Sequence, residues 1–518
     1  MKSRTKIEMW MTAVYLFAAL AMTLQLSAQD NPEPNMKHHK YRVVDVGTFG
    51  GPASYFNVTE VNGSSGLNRR GVAVGTSATS IGSDEKSNGW VCFGASGQLP
   101  YVFHAFEWKN NVVRDLGSLA GEKRCSNPLS INASGDMVGS SEINRIDPGV
   151  GIREVRAVLW KRGVIKNLGT LGGNHSSAQS INKQGQIVGP ALNQIPDPYS
   201  FFSFGNPNGT QTRAFLWQDG AMRDLLTLGG PDSFAGQING GGQVVGFSYT
   251  SYVPNPDTGI PTIDPFLWSK SSGMVDLGSF GGTLGFATQL NDRGQVSGYS
   301  NLTGDLTTHP FFWNGKKLLD LGTFGGSDGV ALSLNDAGEV VGDADFPGDE
   351  LHDGFLWKSG TMTDLGNLGK TSSAFWINSE SQIVGGSHIN DTAQAAFLWE
   401  HGGPMIDLNT LIPPDSPLQL ITADQINDDG EIVGAGVPAG CEAVDICGHA
   451  YVLIPDGDCD EDCETRIAMS RNTGALAAAQ YATTAKVGTR IPANRVNRLR
   501  DKQTGRYHLP SQPALHSD

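Results

Sequence analysis

Three short phrases recur in fixed order along most of the chain, and their recurrence limits the fold more than any other feature. The first is an apolar run ending Asp-Leu-Gly, then Thr/Ser-Leu/Phe-Gly-Gly. Its anchors are Asp45, Asp115, Asn167, Asp224, Asp276, Asp320, Asp364 and Asp407. The last three intervals are 44, 44 and 43 residues; the earlier ones, 70, 52, 57 and 52, carry insertions. A period of about 40–50 residues is that of a four-stranded propeller blade. The second phrase is Ile/Leu-Asn-x-x-Gly-Gln/Glu-Val-Val-Gly. It is complete at Leu334–Gly342, with other copies starting at Leu67, Ile131, Ile181, Ile238, Leu290, Ile377 and Ile426. The third is Ala-Phe-Leu-Trp, as at Ala214–Trp217 and Ala396–Trp399. The eighth copy, Ala450-Tyr451-Val452-Leu453, lacks the Trp. We number the units one to eight by the asparagine of the second phrase, from Asn68 to Asn427.

The phrases translate into four strands per unit, A to D. Strand A runs into the Asn, B is the Val-Val-Gly run, C is Phe-Leu-Trp and D leads to Asp-Leu-Gly. All are short, rich in β-branched and aromatic residues, and bounded by turn residues. Asn-x-x-Gly suits a type I turn followed by a left-handed residue, so A and B form a hairpin. Strand C is apolar at three successive positions, so both of its faces are covered. Radially stacked blades achieve this and leave only short, protected edges. The repeat region opens on a D-type strand, Tyr41–Gly47, and ends on a C-type strand, His449–Leu453. The expectation is therefore an all-β, eight-bladed β-propeller of four-stranded antiparallel blades. Pairing the N-terminal strand with the last blade would close it.

Composition agrees. There are 67 Gly in 518 residues, without a collagen-like triplet, which implies many tight turns. The net charge of -15 argues against nucleic acid as a partner. Residues 1–28 read as a signal peptide. Lys2, Arg4 and Lys6 precede an apolar stretch, and Leu26-Ser27-Ala28 offers a cleavage site. No later segment is apolar for long enough to span a bilayer. The expected product is secreted or otherwise extracytoplasmic, with a linker at 29–40, the propeller at 41–455 and a tail at 456–518. In an oxidising compartment the six cysteines suggest disulfides. Proximity pairs Cys441 with Cys447 and Cys459 with Cys463, leaving Cys92 with Cys125. The tail holds an acidic run, Asp456 to Glu464, that lacks the spacing of an EF-hand loop and reads as a solvated turn. An Ala-rich stretch and a polar, basic end follow.

In a meander, the A–B and C–D turns share one rim, and the B–C connections and D-to-A links share the other. The second rim carries nearly all the length variation, with insertions at Ala78–Phe103, Ile143–Arg153, Pro190–Thr212 and Tyr249–Ile263. Variable segments on a rigid scaffold are where binding usually resides. Tyr199, Phe201, Phe202 and Phe204 in the third insertion are the candidate contact residues, able to stack on a sugar or anchor a protein if exposed; the other, favoured reading is that they pack back onto the blade top. No catalytic, cofactor-binding or metal-binding set emerges. Gly325-Gly326-Ser327-Asp328-Gly329 resembles a nucleophile elbow but sits in a repeated link without a helix. His104, His309 and His449 precede strand C in three units and read as polar residues at the strand's start.

The linked phrases, with His104-Ala105-Phe106 among them, resemble the HAF family of extracellular bacterial repeat proteins over about residues 41–455. The resemblance implies export and carries no catalytic residues. The expected function is a non-enzymatic extracellular binding or adhesion module whose partner is a glycan or a protein. The alternatives are a structural envelope or matrix protein and, less favoured, an enzyme with a site at the propeller axis.

Overall fold

The structure, a computed structural model, describes residues 38–56, 65–89, 91–92, 100–202, 209–256 and 258–458. The signal segment, Phe204, the Cys459 and Cys463 pair and the tail beyond Asp458 lie outside the described residues. Nearly all regular structure is β-strand; the described helical pieces are Val444–Cys447 and Leu408–Thr410. No helix among the described residues is long and apolar enough to cross a membrane.

The three phrases become antiparallel meanders. In unit seven, Thr371–Ile377, Ile383–His388, Gln394–Trp399 and Ile406–Asp407 are strands A to D of one sheet. The described strands form six sheets of four and one of eight. The eight-stranded sheet departs from the expectation of separate blades, for a local reason. It joins units four and five through a parallel bridge between Ile263 and Leu284. Gly285 follows, and a Cβ there would lie 2.9 Å from Pro265 Cδ. Lacking one, the A strand Gly281–Leu290 comes close enough to its neighbour to bond. Unit eight draws on both ends of the chain. Leu418–Ile426, Ile432–Pro438 and His449–Asp458 are its strands A, B and C. The N-terminal strand His39–Asp45 pairs antiparallel with the last of these, Val43 opposite Leu453.

The core lies between sheets. Phe106, Phe215, Phe266, Phe311, Phe355, Phe397 and Tyr451, all from strand C, are fully buried. The glycine of Val-Val-Gly lets that ring lie against the backbone of strand B. A Cβ at Gly298 would fall 2.0 Å from the Phe286 carbonyl and 2.7 Å from Phe311 Cζ. Trp108, Trp160, Trp217, Trp357 and Trp399 are buried, and Trp268 and Trp313 half-buried, as core residues.

Among the described residues, two sets of hydrogen bonds run between neighbouring units, the first at five junctions and the second at all eight. The first uses the serine that opens strand A. Ser54, Ser126, Ser176, Ser233 and Ser372 accept the N–H of Ala450, Ala105, Ala157, Ala214 and Gly354 of the preceding unit, at 2.8–3.0 Å. At the start of two other C strands the partner is Pro265 or Pro310, which has no N–H. There the serine is replaced by Gly285 or Gly329. Donor and acceptor disappear together, so no buried polar group is stranded.

The second set uses the turn asparagines. Asn182 Oδ1 accepts the N–H groups of Gln184 and Gln186, fixing its own turn. Its Nδ2 donates to the Asn239 carbonyl. The same bond, 3.0–3.2 Å long, runs from Asn68 to Asn132, Asn132 to Asn182, Asn239 to Asn291, Asn291 to Asn335, Asn335 to Asn378 and Asn378 to Asn427. Asn427 in turn donates to Asn68.

The Cys441–Cys447 disulfide expected from proximity is present, with Cα atoms 5.8 Å apart. Cys92 and Cys125 are also bonded, Cα to Cα 5.3 Å, which fastens the first insertion beneath unit two.

Candidate functional site

On the rim of B–C connections, the insertions of the first three units are partly strand rather than loop. Strands B and C continue upward, with Gly82 opposite Tyr101, Ile146 opposite Arg153 and Pro196 opposite Thr210. A hydrogen-bonded ladder limits their motion.

The residues at the start of strand C meet the aspartate that ends strand D of the same sheet. His104 Nδ1 bonds Asp115 at 2.9 Å, His309 bonds Asp320 at 2.9 Å and His449 bonds Asp45 at 3.0 Å. The partners that the sequence left unassigned are thus local and repeated. Burial, the largest single influence, raises Asp115 and Asp320, but the histidine hydrogen bond, the backbone N–H of Gly117 or Gly322 and the histidine charge together hold both below the usual range. Where aspartate replaces the histidine, the sign reverses. Burial lifts Asp264 to about 6, with Asp276 adding to it. Burial lifts Asp353 to about 7; the Asn367 amide opposes and Asp364 adds.

The candidate aromatics of the third insertion fold back onto the scaffold. Asp232, in the link to strand A of unit four, accepts the N–H groups of Phe201 at 2.7 Å and Thr212 at 2.8 Å. Burial and the neighbouring Asp197 carboxyl push Asp232 far above its ordinary value. Phe201 packs on Tyr249 at 4.5 Å and Phe247 at 5.2 Å between ring centres. Phe202 stacks on His175, and the Tyr249 hydroxyl donates to the Tyr199 carbonyl. Tyr199, Phe201 and Phe202 are all half-buried, so none is presented as an open stacking platform.

Over units three and four, the large apolar side chains that do face outward on this rim are others. Ile195 is 52% exposed, Tyr252 60%, Val253 74% and Leu226 65%. A chain of hydrogen bonds and one long ion pair joins their surroundings. Gln211 Nε2 donates to the Tyr252 hydroxyl, and Gln211 Oε1 accepts from Asn193 and Arg213. Arg213 reaches Asp224 at 4.0 Å, and Asp224 accepts the Leu226 N–H at 2.7 Å. Leu226 has φ 69°, the left-handed region that a bulky residue rarely occupies. In the other units this position is Gly47, Gly117, Gly169, Gly278, Gly322, Gly366 or Asn409. The substitution was legible in the repeat alignment; its backbone strain and exposure were not.

Nothing on this rim assembles a catalytic or metal set among the described residues. Ser327 Oγ donates to Asp349, not to a histidine. The one group of close potential metal ligands is Cys92, Cys125 and Glu142. Its two thiols are joined to each other, and Glu142 accepts the backbone N–H groups of Asn88 and Cys125.

No family model matches the chain, and no curated protein matches it. Solved structures do. TolB from Acinetobacter baumannii is 11% identical, with 53% of this chain aligned to 60% of that one and a TM-score of 0.30. Dipeptidyl peptidase 4 from Porphyromonas gingivalis is 11% identical, with 65% of this chain, 54% of that chain and a TM-score of 0.38. Aleuria aurantia lectin is 9% identical, with 64% of this chain, 95% of that chain and a TM-score of 0.23. This chain thus spans little more than half of the first two. At such values the likenesses carry no argument about activity or ligand.

Proposed function

We propose that this protein is an exported, non-enzymatic propeller of eight blades that binds a protein partner through the rim of B–C connections over units three and four. Two observations support the closed, eight-fold reading. Each unit's asparagine donates to the next, with Asn427 returning to Asn68, and the N-terminal strand completes the last sheet. The joined sheet of units four and five is compatible with it, since one parallel bridge links two whole meanders. The HAF-type phrases and the leader-like N-terminus support export.

The observation that carries the binding reading is the exposed Leu226 in a conformation that costs about 1–2 kcal/mol. A chain that keeps such a residue where glycine would relieve strain uses the side chain for something outside itself. Three of the four exposed residues are aliphatic, which suits a protein hot spot better than a sugar, whose rings stack on aromatic faces. The test is a retention assay on immobilised full-length protein against secreted proteins and glycans. The expected outcome is a retained protein that is lost on Leu226→Gly or on Tyr252→Ser with Val253→Ser. Retention unchanged by these variants removes the rim, and no retention of anything removes the binding module in favour of a structural repeat protein.

A further inference from the structure

The opposite rim, formed by the A–B and C–D turns, holds a pocket at the seam between units eight and one. It has a volume of ≈ 290 Å³. Its floor is Trp108 of unit one and Ile454 of the last strand. Arg42 on the N-terminal strand, opposite Ile454 in register, forms one wall. Arg70 in the Asn68 turn forms another. Asn110 and Asn111, the C–D turn of unit one, also line it, both at positive φ. Glu431 closes the side beside Gly71.

Three features set this pocket apart from a gap between turns. Neither the Arg42 nor the Arg70 side chain has an ion-pair partner among the described residues, whereas Arg69, next in sequence, pairs with Asp428. Among the described residues the Trp108 indole N–H is buried without a hydrogen-bond partner, a state it shares with Trp313, whereas Trp160, one unit on, donates to the Leu116 carbonyl. Unit eight alone has no covalent C–D hairpin, since its fourth strand comes from the other end of the chain. The pocket therefore combines two cations and a buried donor, all without partners among the described residues, with the amides of Asn110 and Asn111 and one carboxylate.

From this arrangement we infer that the seam pocket binds a uronic acid, its carboxylate held by Arg42 and Arg70 and its hydroxyls by Glu431, Asn110, Asn111 and the Trp108 N–H. Guanidinium forks match a planar carboxylate bidentately. Glu431 opposes a bare anion but accepts from hydroxyls, which selects a ligand that is both acidic and polyhydroxylated. The volume equals the liquid share of roughly ten waters, enough for one sugar ring of about a dozen heavy atoms. The site is independent of the proposed protein-binding rim.

Titration calorimetry of the full-length protein with glucuronate, glucose and sulfate tests the assignment. Glucuronate binds and glucose does not, and sulfate competes weakly. Arg42→Gln and Arg70→Gln each weaken glucuronate at least about tenfold without changing the melting temperature, because both side chains are exposed. Leu226→Gly leaves glucuronate binding intact, so a failure at either rim is read separately. No heat at about 10 mM glucuronate, ten times a millimolar dissociation constant, overturns the inference. So does binding insensitive to both arginine variants, or sulfate binding as tightly as glucuronate.

Discussion

Asn427 Nδ2 lies 3.2 Å from the carbonyl oxygen of Asn68, a hydrogen bond between residues 359 apart in sequence. It repeats the bond that each of the other seven turn asparagines makes to the next unit. The side chain also donates to Glu431 and accepts the N–H groups of Asp429 and Glu431. Asn427→Ala strips a buried carbonyl of its donor and frees the turn. The expected loss is about 1–3 kcal/mol, read as a lower urea midpoint. Asn182→Ala, in the middle of the chain, should cost a similar amount. If Asn427→Ala alone were silent, the seam between the ends would be open in solution.

The pairing of serine with alanine, and of glycine with proline, makes a coupled prediction. Ser233→Gly leaves the Ala214 N–H without its acceptor, at a cost of about 1–3 kcal/mol. Ala214→Pro alone leaves the serine hydroxyl short of a donor and crowds it. Together they recreate the Pro265–Gly285 arrangement. A double-mutant cycle should show the pair less destabilising than the sum of the singles. Strict additivity would show that the two positions are not energetically linked.

Leu226→Gly separates stability from function. Relief of the left-handed strain, less the added freedom of glycine in the unfolded chain, leaves a gain of up to about 1 kcal/mol. The variant should unfold at higher urea while losing the protein retained by the rim. A loss of stability would mean that the side chain packs within the molecule.

Asp353 is one of several buried carboxyls that make stability fall as pH rises. Its carboxyl is lifted from 3.8 to about 7 by burial, offset in part by the Asn367 amide and reinforced by Asp364. The unfolded chain releases this proton near pH 4, while the folded protein keeps it to about pH 7. Stability from this group is therefore whole below pH 4 and is lost as pH rises to 7. Asp264, at about 6, acts the same way over a shorter span. Asp147 is held down to about 2, chiefly by the His175 hydrogen bond, so its contribution is lost only as pH falls below 4. Asp353→Asn should flatten the decline between about pH 4 and pH 7 in urea midpoints. An unchanged slope would show that the carboxyl is already ionised in the fold.

The local chemistry of this protein was readable from its residues. Phe-Leu-Trp declares a strand covered on both faces, and Asn-x-x-Gly declares a hairpin, because strand period and turn conformation depend on residues a few positions apart. The proximity pairing of Cys441 with Cys447 rests on the same short range. Exposure did not follow from sequence. Phe201 and Phe202 look like a platform until Asp232, Tyr249 and His175, from other segments, draw them in. Leu226 could be named as a departure from the repeat. Only the packed structure decided that Leu226 points outward under strain, and that Arg42, on the N-terminal strand, and Arg70, in a turn, line the same pocket as the Trp108 indole. Such outcomes depend on which surfaces meet across long loops, and no short window of sequence contains that information.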